Sequence, residues 1–214
     1  MRRSVELVVE GREHLPTSGP LLLAARHVHH LLDGCILTTL VGRPLHILVA
    51  VDWTRPGPQR RLLDLATGLL RWPAVIRDDA PCAASPAEAQ RRLRAATRDA
   101  VSLLREGRAL LVFPEGYPAV DPHPTPKAGL DDFLPFRPGF VRLAAFAERA
   151  GAPPVPIVPV GFWYGPRPVG GWRVVARLGP PVRLGEVASS LAAASWVEQE
   201  VQRLSEPPAG HVED

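Results

Sequence analysis

The chain has 214 residues, 46% hydrophobic and 22% charged, enough for one α/β domain with a substantial core and short for two. The formal net charge is +3 and Lys127 is the only lysine, so arginine supplies the remaining positive charge and favours anionic partners such as phosphate, coenzyme A or acidic lipid head groups. The arginines are scattered among acids without an aromatic-studded basic strand, which argues against nucleic acid, and no run of about eighteen apolar residues is present to span a membrane.

Met1-Arg2-Arg3-Ser4 is basic but passes straight into residues 5–10, which read as an edge strand, so no signal-peptide core is expected. Residues 21–25 are uniformly apolar and read as a central strand, followed by a helix over 31–40 that ends near Gly42 and Pro44. Residues 45–51 form the next strand, 60–70 a helix with Leu62, Leu63, Leu65 and Leu69 apolar, and 74–76 a short strand. The helix over 86–106 is the best signalled: Ser85 and Glu88 make a capping box, Pro86 takes the first helical position and Gly107 is the stop. Within it Leu93, Ala96, Ala100, Val101 and Leu104 recur at helical spacing, with Thr97 a polar interruption.

Residues 110–113 follow as a short, fully apolar strand. The proline-rich, acidic stretch 114–138 reads as a long loop of the functional or mobile kind. A helix over 140–150, strands over 155–161 and 172–178 and a helix over 196–204 complete the chain. The expected fold is thus a single α/β domain over residues 1–204, its mixed, mostly parallel central sheet flanked by helices, with a flexible tail over 205–214. Cys35 and Cys82 lie in no metal-ligand spacing and read as reduced thiols of a cytoplasmic protein.

Chemistry concentrates at strand ends. Three of the seven histidines, His27, His29 and His30, fall in the turn Arg26-His27-Val28-His29-His30-Leu31-Leu32-Asp33 after the first central strand. Arg77 follows the strand ending at Ile76, and Glu115 the strand ending at Phe113. If these strands run parallel, a base, a cation and a carboxylate gather at one edge of the sheet.

Those residues resemble the glycerolipid acyltransferases of the lysophosphatidic acid and glycerol-3-phosphate acyltransferase type. The family opens with G-x-E-N-L-P ahead of its first central strand, and this chain has Gly11-Arg12-Glu13-His14-Leu15-Pro16, with His14 in place of asparagine. The family's first signature is a histidine and an aspartate with four residues between them, which counts back from Asp33 to Val28. His27, His29 and His30 lie five, three and two residues from Asp33 by the same count. His27 with Asp33 is the first choice, and His29 and His30 stay open. Val75-Ile76-Arg77 is similar to the short strand that ends in a phosphate-contacting arginine. Phe113-Pro114-Glu115-Gly116 matches the family motif directly after an apolar strand, but continues Tyr117-Pro118-Ala119 where Thr-Arg-Ser is usual. Arg137 matches a basic residue before a glycine that opens the next helix, in a position to compensate for the missing arginine. Pro159, in Val155-Pro156-Ile157-Val158-Pro159-Val160-Gly161, matches a proline-containing strand near the acyl pocket.

The resemblance implies a glycerol-3-phosphate acyltransferase-like fold and transfer of a fatty acyl group from an acyl-CoA or acyl-carrier-protein thioester to a hydroxyl of a lysophospholipid-like acceptor. A histidine takes the hydroxyl proton and Asp33 orients its ring; Arg77 and Arg137 hold anionic groups, and Glu115 with Gly116 orders the acceptor. No cofactor or metal is implied, because thioester cleavage drives the reaction. Two other readings stay open: a metal-dependent hydrolase, since His27-x-His29 near Asp33 is similar to an H-x-H-x-D-H ligand turn lacking its later ligands, and a catalytically silent homologue that binds lipid or coenzyme A. Peripheral contact with the inner face of a membrane is expected to use Trp53 with Arg55, Arg60 and Arg61, or Trp163 with Tyr164 and Arg167.

Overall fold

A strand of sequence Leu21-Leu22-Leu23-Ala24-Ala25 has no polar side chain to offer water, so it is stable only with both faces covered. In the computed structural model, which describes residues 4–54, 57–77, 85–167 and 170–208, all five residues are fully buried. The chain begins with β1 (Ser4–Glu10), a 3-10 turn at Arg12–His14 and β2 (Leu21–Ala25), then α1 (Leu32–Val41), β3 (Leu45–Ile47), β4 (Val49–Ala50) and α2 (Pro58–Leu70). It continues through β5 (Ala74–Val75), α3 (Pro86–Arg105), β6 (Ala109–Val112), α4 (Gly139–Arg149), β7 (Ile157–Pro166), β8 (Gly171–Leu178) and α5 (Ser190–Leu204).

Among the described residues, six strands form the main sheet in the order β1-β8-β7-β2-β6-β3, every neighbouring pair parallel except β7 with β8. Alternation along β2 divides the core. Leu22 and Ala24 pack with Leu110, Val112 and Ile157 against α3, α4 and α5, while Leu21, Leu23 and Ala25 pack with Leu111, Val158 and Val160 against α1. The mixed α/β sheet with helices on both faces agrees with the expectation from sequence.

Several boundaries differ from the sequence reading, each for a tertiary reason. The strand expected over 45–51 divides: Leu48 N–H still donates to Leu111 O in the main sheet, but Val49 N–H turns to Pro73 O, and β4 pairs with β5 in a separate two-stranded sheet. The strand carrying Arg77 therefore does not end on the main sheet. The strand expected to stop at Gly161 runs on to Pro166 against β8; Gly161 does not end it but makes room for α5, since a Cβ there would collide with the Leu204 backbone. The last helix starts at Ser190, where the Ser189 hydroxyl accepts the Ala192 N–H, six residues before the apolar cue at Trp196. At α3 the expected cap is present: the Ser85 hydroxyl accepts the Glu88 N–H with Pro86 in the first turn.

Packing continues past α5, where Ser205 is buried and Arg177 donates to the Glu206 carbonyl. Cys82, Arg55 and residues 209–214 of the expected tail lie outside the described residues. No described helix is long and apolar enough to cross a membrane.

Candidate active site

The last ladder bond of β2 is Arg26 N–H to Val160 O, after which the chain leaves the sheet and turns over the amino terminus of α1. Asp33 sits in the first turn of α1, fully buried. Its Oδ2 accepts three donors, His27 Nδ1 at 3.0 Å, Val28 N–H at 2.7 Å and His29 N–H at 2.9 Å. Its Oδ1 accepts the Tyr164 hydroxyl at 2.6 Å from β7. Burial first, and the Asp33 carboxylate second, push the Tyr164 phenol far up from its ordinary value, so it stays a donor. A carboxylate only accepts, so Nδ1 donates to Asp33 and Nε2 is the ring nitrogen left without that partner.

This turn absorbs the altered spacing. Val28, at the strict family position, sends its side chain into the core and its N–H to Asp33, while His27 one residue earlier reaches the same oxygen with its ring. The imidazole stacks on Phe113, ring centroids 3.9 Å apart at 13°, and its side chain is 13% exposed. The other two rings face elsewhere. His29 Nδ1 accepts the Leu31 and Leu32 N–H groups at the start of α1, and His30 Nδ1 lies 3.1 Å from the Val120 carbonyl. Among the described residues, no group of three or more His, Cys, Asp or Glu side chains is arranged to hold a metal ion.

The turn after β6 supplies the opposite side. Phe113-Pro114-Glu115-Gly116 closes with Gly116 N–H on Phe113 O, and Gly116 takes φ 80, a left-handed conformation that side chains rarely adopt. Pro114 is buried and its carbonyl accepts the Arg137 N–H at 3.1 Å. Glu115 departs from its expected place at the acceptor. Its carboxylate is sealed inside the protein, Oε1 accepting His27 N–H at 2.8 Å, Oε2 accepting Leu134 N–H at 2.9 Å and lying 2.6 Å from Lys127 Nζ. Lys127 Nζ also donates to the His27 carbonyl at 2.7 Å. Burial lowers the Lys127 ammonium from its ordinary value while the Glu115 charge opposes that shift.

Arg77 reaches the same edge from β5 on the small sheet, not from a main-sheet strand as the spacing suggested. Its Nε and Nη2 donate to Asp52 Oδ2 at 2.9 and 2.7 Å, its Nη1 donates to Gly116 O at 2.6 Å, and its guanidinium lies 3.8 Å over the Tyr117 ring. Its carboxylate partner is thus the buried Asp52. A Cβ on Gly116 would be 3.9 Å from both the Arg77 and the Arg137 side chains, so both arginines lie against a bare glycine. Pro159 belongs elsewhere. It is buried in β7 opposite Ala24, with its carbonyl on Gly179 N–H and its ring toward the α5 side near Leu204, so it packs the sheet.

Loop 114–138 is stitched to the histidine turn along its length. Val120 pairs with Val28 and His30, Arg26 donates to the Leu130 and Asp132 carbonyls, and Lys127 and Leu134 meet at Glu115. Sequence reasoning missed Tyr164, Asp52 and Lys127 as members of the site. Only Lys127 carried a signal, as the one lysine in a chain that otherwise uses arginine.

Of the expected membrane patches, the second is withdrawn: Trp163 and Tyr164 are 5% and 6% exposed because β7 is central and covered. In the first, Trp53 is exposed but Arg60 is buried on Thr54. Exposed apolar surface lies instead on α2, where Leu62, Leu65 and Leu69 are 67%, 60% and 78% exposed at helical spacing.

Residues 6–163 match the family model described as Acyltransferase. Among solved structures, the 1-acyl-sn-glycerophosphate (LPA) acyltransferase PlsC from Thermotoga maritima is similar in fold, with a TM-score of 0.63 at 22% identity, over 93% of this chain and 70% of that one. No curated protein matches the sequence.

Proposed function

The chain belongs to the acyltransferase family, and from that premise we propose that it transfers a fatty acyl group from an acyl-CoA or acyl-carrier-protein thioester to a hydroxyl of a lysophospholipid-like acceptor. The observation that carries this reading is the pairing of His27 Nδ1 with buried Asp33 at 3.0 Å, its ring stacked on Phe113 of the turn whose Gly116 lies against Arg77 and Arg137. A hydroxyl is a poor nucleophile at neutral pH. His27 Nε2 takes its proton as the oxygen attacks the thioester carbonyl carbon, and Asp33 stabilises the imidazolium that forms. The C–S bond then breaks, and the same nitrogen returns the proton to the departing thiolate. Thioester cleavage supplies the driving force, so the reading invokes neither metal nor cofactor.

Arg77 and Arg137 are assigned to anionic groups of the acceptor or donor. Arg77 is held by Asp52 and Gly116 in one orientation, which presents its remaining N–H groups without further ordering cost. Asp33 accepts donors on both oxygens, so the imidazole plane is set before substrate arrives.

A lipid acceptor must be reached at a bilayer, and peripheral contact with the inner membrane face is part of the proposal. The exposed leucines of α2, with Arg61 exposed beside them, have the composition of a helix that lies on anionic lipid. Flotation with anionic vesicles is expected to carry the protein upward, and a Leu62→Gln, Leu65→Gln, Leu69→Gln triple variant is expected to stay at the bottom.

The catalytic reading is tested with labelled acyl thioesters against a panel of lysophospholipids and other alcohols, beside His27→Ala, His29→Ala, His30→Ala and Asp33→Ala. Transfer by the wild type that vanishes in His27→Ala and Asp33→Ala is the expected result. Activity that survives in every one of these variants refutes the site, and thioester binding without any turnover points to a silent binding protein.

A further inference from the structure

At His27 the main chain has left the β2 ladder, which ends one residue earlier at Arg26, and the bridge of Val28 and His30 to Val120 starts only beyond it. A buried ion pair takes over. Glu115 Oε1 accepts the His27 N–H at 2.8 Å, Lys127 Nζ donates to the His27 carbonyl at 2.7 Å, and the two side chains close the ring at 2.6 Å. Both polar main-chain atoms of one residue are therefore gripped by one neutral pair, and both side chains are fully buried. The other charged groups close to the pair are Arg26 and Asp33.

We propose that Lys127 is a positioning residue: with Glu115 it clamps the backbone of His27, while Asp33 and Phe113 set the ring, so loop 114–138 is part of the catalytic machinery and not a cover over it. The proposal rests on His27 acting as the base. Replacing a buried ion pair by packed apolar groups is often neutral for stability, so net stability does not account for this one. What the pair adds is direction. The ammonium is drawn to Glu115, and it meets the His27 carbonyl only where the peptide is turned as observed. Displacing a reacting group by about 1 Å costs on the order of 100-fold in rate, which is the scale at which such a clamp acts.

The test compares Lys127→Met, Glu115→Gln and the Lys127→Met, Glu115→Gln double variant in the full chain. Melting temperature, kcat and KM for the acyl thioester are measured, with NMR-detected amide exchange at residues 26–29 and 21–25. Lys127→Met alone leaves Glu115 buried without its cation and is expected to melt lower. The double variant removes both charges and is expected to melt above Lys127→Met, short of wild type because an amide accepts only one of the His27 and Leu134 N–H groups, and not to regain activity, kcat staying down about 100-fold with KM little changed. Exchange is expected to quicken at 26–29 and hold at 21–25. A double variant with wild-type kcat and wild-type protection at 26–29 overturns the proposal, as does one whose exchange quickens equally through 21–25, because that is general loosening. If the wild type transfers no acyl group to any acceptor, the catalytic reading itself has failed, and exchange alone then decides whether the clamp exists.

Discussion

Asp33 and Glu115 are both buried carboxylates at the turns that follow neighbouring strands, and they do different work. Each draws in backbone N–H groups, as a carboxylate taken out of water must. The Asp33 network ends on the partly exposed His27 ring, and under the proposed function its negative charge is answered by the proton that His27 takes from the acceptor. The Glu115 network ends on Lys127 and is complete without substrate. An incomplete network can take part in proton transfer, whereas a balanced one can only hold shape.

The largest effect that separates the two follows from the proton. His27→Ala is expected to lower kcat by about 1,000-fold, the scale of a positioned general base, with little change in melting temperature. His29→Ala and His30→Ala, whose rings serve the start of α1 and the Val120 carbonyl, should stay within about tenfold of wild type in the same assay. A larger loss in either of those than in His27→Ala would move the base to another ring. Glu115→Ala comes next, read as stability: Lys127 is left as an unpaired buried charge, and chemical denaturation should register a loss of about 3–5 kcal/mol. Tyr164→Phe takes one donor from Asp33 and should cost about 2 kcal/mol, with the charge on Asp33 otherwise kept by its three remaining donors.

The smallest effect comes from an ion pair at the surface, the opposite case to Lys127 with Glu115. Two hydrogen bonds from Arg71 and one from Ser102 hold the exposed Glu106 down to about 2 from its ordinary 4.5. A depressed carboxylate stabilises above its unfolded value and loses that contribution as pH falls through its folded value. The pair's contribution should thus be complete above about pH 4.5 and gone below about pH 2. Arg71→Ala should flatten this part of an acid-unfolding curve, less so at high salt. An equal effect at high salt would mean that the pair is not screened as its exposure requires.

The sheet was legible where the code is local. Five apolar residues in a row at 21–25 admit only a strand covered on both faces, Ser85 with Glu88 marks a helix start, and Phe113 to Gly116 marks a turn after a buried strand. The break between Ile47 and Val49 was not, because Val49 changes partner without any change in side-chain character. Gly161 shows the same limit in reverse: a residue that usually ends strands is present here because a helix passes close by.

By itself the sequence determined which residue types stand at which strand ends, and with them the kind of chemistry available: imidazoles after β2, a carboxylate and a glycine after β6, an arginine after β5. Only the tertiary structure decided among them. It turned His27 rather than His29 or His30 to Asp33, and brought Tyr164 to that carboxylate across 131 positions. It closed Glu115 off with a lysine 100 positions from the residue whose carbonyl it holds. The physical reason is that strand-end loops carry no ladder of their own, so their buried polar groups take partners from whatever the fold brings beside them.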